Sequence, residues 1–172
     1  AWSDLPGVDG KQHSLADFKD RDVLVIVFSC NTCLYAQDHE DRLMALQKKF
    51  NESDSCALIA ICSNKVKDDL LPAMTERANQ RAFNFPYVHD ETQQVARAHG
   101  ATYTPEFVVL DKDRKVVYLG AMDDSPEGKN VTKRYVEEAI AAALAGKAPA
   151  VAETPPIGCA VRYVKERTKR SQ

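Results

Sequence analysis

The sequence predicts an α/β fold: a mixed central β-sheet flanked by helices, with N-terminal and C-terminal extensions. Three observations carry that prediction. Two continuous apolar runs of strand length, Val23–Phe28 and residues 57–62, fit strands covered on both faces. Each is followed by a stretch of helical periodicity, which favours parallel crossovers. Two late apolar segments, Glu106–Leu110 and residues 115–119, are joined by a polar four-residue connection and read as a hairpin, which adds antiparallel pairing. At 172 residues the chain is expected to form one domain over 1–172. Residues 147–172 are expected to be an extension of it: a Pro-rich segment, an added strand and a basic tail.

Taken in order, Asp9-Gly10 marks a turn between short segments, and Ser14 caps a short helical turn through Phe18. After the strand Val23–Phe28, a helix is expected over residues 32–50, with Ala36, Leu43, Leu46 and Phe50 on its buried stripe. Gln37, Asp38, Asp41, Lys48 and Lys49 are placed toward water, and His39 and Glu40 are assigned with them to a solvated face. In the next strand, alternation puts Cys56, Leu58, Ala60 and Cys62 on one side. A mostly helical stretch over 65–82 follows, with Pro72 near a helix start or in a break. A short strand is read at 85–88, then a helix over 91–98 capped by Asp90 and stopped by Gly100. Thr104-Pro105 directly precedes the hairpin. A final amphipathic helix is expected over 131–144, a strand carrying Cys159 over 157–164, and a frayed basic end from Lys165.

Composition excludes several function classes. The apolar fraction of 44% and charged fraction of 28% are ordinary for a globular protein. Net charge is 23 − 25 = −2, which gives no reason to expect nucleic acid or an acidic membrane as partner. No apolar run approaches the ~18 residues of a membrane span, and no targeting segment is visible. The missing initiator Met is compatible with a processed exported protein or a trimmed chain.

The chemistry concentrates at Cys30 and Cys33. They follow a buried strand and open a helix, where free N–H groups and the helix dipole favour a thiolate. Such cysteines can have their pKa lowered from about 8.5 to about 3.5–7.5. Cys33, one turn on, is placed to resolve a mixed disulfide on Cys30. The expected assignment is Cys30 as exposed attacker and Cys33 as buried resolver. A zinc site lacks two further ligands at suitable spacing, since Cys56, Cys62, His13, His39, His89 and His99 make no second ligand pair. No resident metal or cofactor is expected. Cys159 is a possible third redox cysteine, though burial on an added strand is the commoner fate of such a residue. Glu106, beside Pro105, is the first acid to consider for proton transfer.

The combination of FSCNTCLYAQDHEDRLMALQKKF, then FNFPYVHDETQQVARAHGATYTPEFVVLDKDRKVVYLG, then PPIGCAVRY resembles the thioredoxin-like superfamily over nearly the whole chain. The likeness is to its peroxiredoxin-like branch, the redoxin group near the alkyl hydroperoxide reductase/thiol-specific antioxidant proteins. The resemblance implies a redox pair at Cys30 and Cys33 and a cis-proline at Pro105 facing it. It also implies that Thr104 lends its backbone to a bound peptide, so Thr104 and Pro105 are the substrate-binding candidates. Two departures stand out. Leu34 replaces the Pro common after the second cysteine, and Val23–Phe28 lacks the buried acid of thioredoxins proper.

Peroxiredoxins place a Thr three residues before the attacking cysteine. Here that cysteine corresponds to Cys33 and the Thr position holds Cys30. Thiol–disulfide exchange with protein thiols or disulfides, or with an upstream reductant, therefore ranks first. A thiol peroxidase ranks second. A copper(I) metallochaperone, with His89 or His99 as third ligand, ranks after it.

Overall fold

The computed structural model describes residues 1–165. Its centre is a five-stranded sheet, preceded by a small hairpin of β1 (Leu5–Pro6) and β2 (Gln12–His13) around Gly10, whose φ is 77°. Ser14 then opens a 3-10 turn, Leu15–Phe18, its backbone N–H donating to the Asp17 carboxylate at 2.8 Å. The sheet itself contains β3 (Val23–Phe28), β4 (Cys56–Cys62), β5 (Tyr87–His89), β7 (Glu106–Leu110) and β8 (Val116–Gly120). Between β5 and β7 lies the two-residue β6 (Tyr103–Thr104), outside the sheet. The order β5-β4-β3-β7-β8 puts β3 in the middle, parallel to β4 and antiparallel to β7.

Alternation sorts the side chains into two layers. Val23, Val25 and Val27 of β3, with Cys56, Leu58, Ala60 and Cys62 of β4, pack under α1 (Leu34–Phe50), α2 (Leu71–Arg81) and α4 (Tyr135–Leu144). Leu24, Ile26 and Phe28 face the other way, toward Trp2, Leu5, Phe18 and α3 (Gln94–His99). Every residue of β3 and β4 is buried, as the continuous apolar runs require.

Several helix starts differ from the periodicity. The helix after the cysteines begins at Leu34, not 32, because Asp69 holds the backbone N–H of Thr32 at 2.9 Å and Cys33 is still extended (φ −95°, ψ 119°). The 65–82 stretch divides at Leu70 (ψ 160°) into a 3-10 turn, Lys67–Asp69, and α2 with Pro72 in its first turn. α4 begins at Tyr135 rather than 131, since the Asp124 carboxylate takes the N–H groups of Thr132 and Lys133 and keeps that segment in a loop. The expected strand over 157–164 reduces to β9 (Cys159–Ala160), which pairs antiparallel with β6. The basic tail beyond Lys165 lies outside the described residues.

His39 and Glu40 correct the expected solvated face of α1: both are buried. Glu40 accepts from Arg77 Nε (2.7 Å), Arg77 Nη2 (2.9 Å) and Arg81 Nε (2.9 Å), so α2 supplies the countercharge. α3 starts at Gln94 rather than 91, with Gln93 and not Asp90 in the N-cap position; the Asp90 carboxylate still accepts the Ala96 N–H of its first turn at 3.0 Å. Gly100 (φ 68°) ends that helix in the left-handed conformation that favours glycine.

Candidate active site

β3 ends at Phe28, and the chain leaves the sheet through Ser29 to Cys30. The turn between the cysteines is held from three sides. Asn31 Nδ2 donates to Asp68 O at 2.8 Å, Thr32 N and Oγ1 both donate to Asp69, and Tyr87 Oη donates to Asn31 Oδ1 at 3.2 Å. Asp69 is fully buried and also accepts from Asn64 Nδ2 at 2.9 Å. It is a buried acid at the cysteine turn that arrives from the 3-10 turn after β4, not from the strand before the pair. Nothing in the run Lys65–Leu71 sets Asp69 apart from Asp68 by sequence; only the folded loop does.

Facing the pair is the Thr104–Pro105 peptide, which is cis. Thr104 Oγ1 lies 3.4 Å from Cys30 Sγ, and the Cys33 thiol donates to Thr104 O at 3.0 Å. Thr104 thus touches both cysteines, one through its side chain and one through its backbone. The expected division into exposed attacker and buried resolver does not hold: Cys30 is 4% and Cys33 1% exposed.

The C-terminal segment packs against the Thr104 side of the site. β9 pairs with β6 so that Cys159 stands opposite Thr104, and Thr104 Oγ1 reaches Cys159 O at 3.4 Å. Gly158 permits this, since a Cβ there would collide with the Thr104 carbonyl. Cys159 is thereby set beside the residue whose carbonyl accepts from the Cys33 thiol, close enough for the two cysteines to shift each other's ionisation. Of the three thiols at this site, Cys159 alone is exposed.

The electrostatics separate the pair. Cys33 is pulled well below an ordinary thiol, chiefly by the hydrogen bond from Cys30 and, against the cost of burial, by the Cys159 thiol. The Ala36 amide contributes as well, although Cys33 stops short of a full capping bond at the start of α1. Cys30 moves upward, because its bond to Cys33 and its burial hold the proton and the Asp69 carboxylate repels a second negative charge. Two protonation states are therefore built in. As a thiol, Cys33 donates to Thr104 O; as a thiolate it is left with Cys30, Cys159 and the Thr104 hydroxyl as donors.

The remaining candidates fall elsewhere. Glu106 is buried, and its Oε2 accepts from Thr102 N (2.6 Å), Thr102 Oγ1 (3.3 Å) and Tyr103 N (3.1 Å). It holds the approach to Thr104 and, among the described residues, bonds to none of the three thiols. His89 Nε2 is 3.2 Å from Asn64 O, and His99 Nδ1 is 2.9 Å from Val95 O on the far face beside Phe28. Neither joins Cys30 and Cys33. Among the described residues no group of three or more His, Cys, Asp or Glu side chains is arranged to hold a metal ion. Cys62 is buried, with its thiol pushed up to about 12, first by burial and then by Asp69. No described helix is long and apolar enough to cross a membrane.

The sequence pattern of redoxins matches residues 3–140. No curated protein matches the chain. Among solved structures, a hypothetical protein from Sinorhizobium meliloti 1021 is 31% identical, with 96% of this chain and 92% of that one covered and a TM-score of 0.87. An uncharacterized conserved protein from Geobacillus kaustophilus is 33% identical, with 96% and 91% covered and a TM-score of 0.87. Peroxidoxin BcpB from Mycobacterium tuberculosis is 19% identical, with 84% and 92% covered and a TM-score of 0.63. The architecture is the thioredoxin-like fold.

Proposed function

The chain belongs to the redoxin family, and from that premise we propose that it is a thiol–disulfide oxidoreductase working through the Cys30/Cys33 dithiol on protein partners. The observation that supports this most is the joint hold of Thr104 on both sulfurs beside the cis peptide. It keeps two thiols of opposite proton affinity together at the end of the central strand. Exchange needs a thiolate and a nearby thiol that can close on the first sulfur, and the lowered Cys33 beside the raised Cys30 offers both.

A protein partner is favoured by the surroundings. Of seven exposed large apolar side chains among the described residues, four adjoin the site in sequence: Leu34, Tyr35, Tyr103 and Ile157. A rim of this kind suits an apolar protein surface better than a small polar substrate. Leu34, where the resemblance implies Pro, is 72% exposed, so it adds to this rim rather than to the core.

The test is redox mapping of the purified chain. Oxidised glutathione should convert Cys30 and Cys33 to an intramolecular disulfide that dithiothreitol reverses. Either Cys30→Ala or Cys33→Ala should abolish catalysed reduction of insulin disulfides. A protein that forms no Cys30–Cys33 disulfide, fails to reduce insulin and consumes hydrogen peroxide quickly would be a peroxidase instead, and the proposal would be wrong.

A further inference from the structure

The residues that react and the residues that can be reached are not the same. Cys30 and Cys33 are buried, while Cys159 is exposed and pairs with Thr104, the residue that touches both buried sulfurs. A disulfide arriving from solution meets Cys159 first. The strap that carries Cys159 is anchored on both sides. Before it, Thr154 Oγ1 is 2.6 Å from Tyr118 Oη and accepts from Ala121 N at 3.0 Å. After it, Val161 N donates to Thr102 O at 2.9 Å, Arg162 N to Asn64 Oδ1 at 2.9 Å and Val164 N to Gln93 Oε1 at 2.9 Å. The β6–β9 pairing and the Gly158 contact with Thr104 then set Cys159 against Thr104. Gln93 and Asn64 are both buried polar groups spent on this strap. A segment kept only to cover the core would not need a thiol at the position paired with the residue that holds both buried sulfurs.

We propose that Cys159 is the third reacting thiol of this site, passing disulfides between a partner and the buried Cys30/Cys33 pair. The inference rests on the oxidoreductase reading above and specifies its route. In the reducing direction the partner is a disulfide, R–S–S–R′. Cys159 Sγ attacks it and its proton goes to the leaving sulfur; the Cys159–S–R bond forms and R′SH leaves. The Cys33 thiolate then attacks Cys159 Sγ, so RS⁻ leaves and a Cys33–Cys159 disulfide forms. Cys30 finally attacks Cys33 Sγ and passes its proton to Cys159, which leaves as a thiol. Two electrons move from the Cys30/Cys33 dithiol to the partner, and Cys159 ends as it began. The reverse sequence carries oxidation outward to a partner thiol.

The surroundings of Cys159 agree with this cycle. Its thiol is pushed up to about 11, first by partial desolvation and then by the Cys33 hydrogen bond and charge, while the Arg162 charge and the Leu34 amide act the other way. So held, Cys159 suits the last step of the cycle, in which it departs as a thiol.

Three variants decide the matter. In Cys30→Ser treated with oxidised glutathione, mass mapping should find a Cys33–Cys159 disulfide. In Cys33→Ala treated with the same reagent, glutathione should be trapped on Cys159 rather than on Cys30. Cys159→Ser should slow exchange with oxidised glutathione by about tenfold or more, because access sets the rate, while the Cys30–Cys33 disulfide still forms on long incubation. Wild-type exchange rates in Cys159→Ser, with Cys159 unpaired in Cys30→Ser and Cys30–Cys33 forming normally, would overturn the relay and leave the oxidoreductase reading standing. Absence of a Cys30–Cys33 disulfide in the wild-type chain would overturn both. Cys159 is exposed, so loss of fold is not expected from its replacement, and far-UV circular dichroism checks this for the buried positions.

Discussion

Acid should destabilise this protein through His39, and the size of the effect follows from where that residue sits. His39 faces the sheet from α1, 3% exposed, with its ring centroid 5.9 Å from that of Phe107. Its Nδ1 is 2.7 Å from Tyr35 O; a carbonyl only accepts, so Nδ1 carries the proton and the neutral ring is satisfied. Burial pulls its pKa from 6.5 down to about 4, with the neighbouring Arg42 charge adding to the effect and Asp123 and Asp38 opposing it. The folded value lies below the unfolded one. Between pH 6.5 and 4 the unfolded chain therefore binds more protons, and stability falls as pH drops through that window. At about 1.36 kcal/mol per pH unit the loss approaches about 3 kcal/mol, a large part of the ~5–15 kcal/mol that holds a typical domain together.

The assay is urea unfolding of wild type and His39→Gln at pH 7, 6, 5 and 4. Glutamine keeps a donor for Tyr35 O and removes the titration. Carboxylates titrate in both chains and cancel in the difference. The variant should lose about 3 kcal/mol less than wild type between pH 7 and 4. Parallel profiles within about 0.5 kcal/mol, or a His39 titration at or above 6 by NMR, would refute the reasoning.

Three further outcomes follow from particular contacts. Glu40→Gln leaves Arg77 and Arg81 facing a neutral amide in a site where Glu40 is buried; because Arg81 is 41% exposed, the cost should be about 2 kcal/mol by urea midpoint at pH 7, and a cost below about 0.5 kcal/mol would show the pair to be idle. Gly158→Ala should push β9 off Thr104 and speed alkylation of Cys30 and Cys33 in the folded protein; rates equal to wild type would mean that the strap does not shield them. At pH 8, iodoacetamide should label Cys159 and spare Cys62 until denaturant is added, since burial holds the Cys62 thiol near 12; early labelling of Cys62 would contradict that.

Much of the fold could be read from the chain because its signals were local. The buried runs at β3 and β4, the hairpin around 111–114, the Gly100 stop and the Cys30/Cys33 spacing each follow from periodicity or turn chemistry over a few residues. Helix starts were less legible, since Asp69 delays α1 and Asp124 delays α4 through contacts made after folding. Polar type places His39 and Glu40 toward water, but Arg77 and Arg81, about forty residues away, supply what water would have supplied to Glu40, and the Tyr35 carbonyl one turn back does so for His39. Cys159 drew attention only as an unpaired thiol after Pro155-Pro156. Its partner Cys33 is remote in sequence, and a two-residue strand leaves no periodic trace.

The doubly anchored strap also bears on competition. Cys159 lies five residues after the hold at Thr154 and two before the hold at Val161, so at about 3.5 Å per residue it stays within about 7 Å of Val161 even with the β6–β9 pairing undone. Short tethers of this kind sustain effective concentrations on the order of millimolar. A small free thiol at micromolar level cannot match that near Cys33. A large partner that docks on the apolar rim can, because docking raises its own local concentration. Under the relay proposed above, the strap would act as a kinetic filter, favouring partners that bind over those that merely collide.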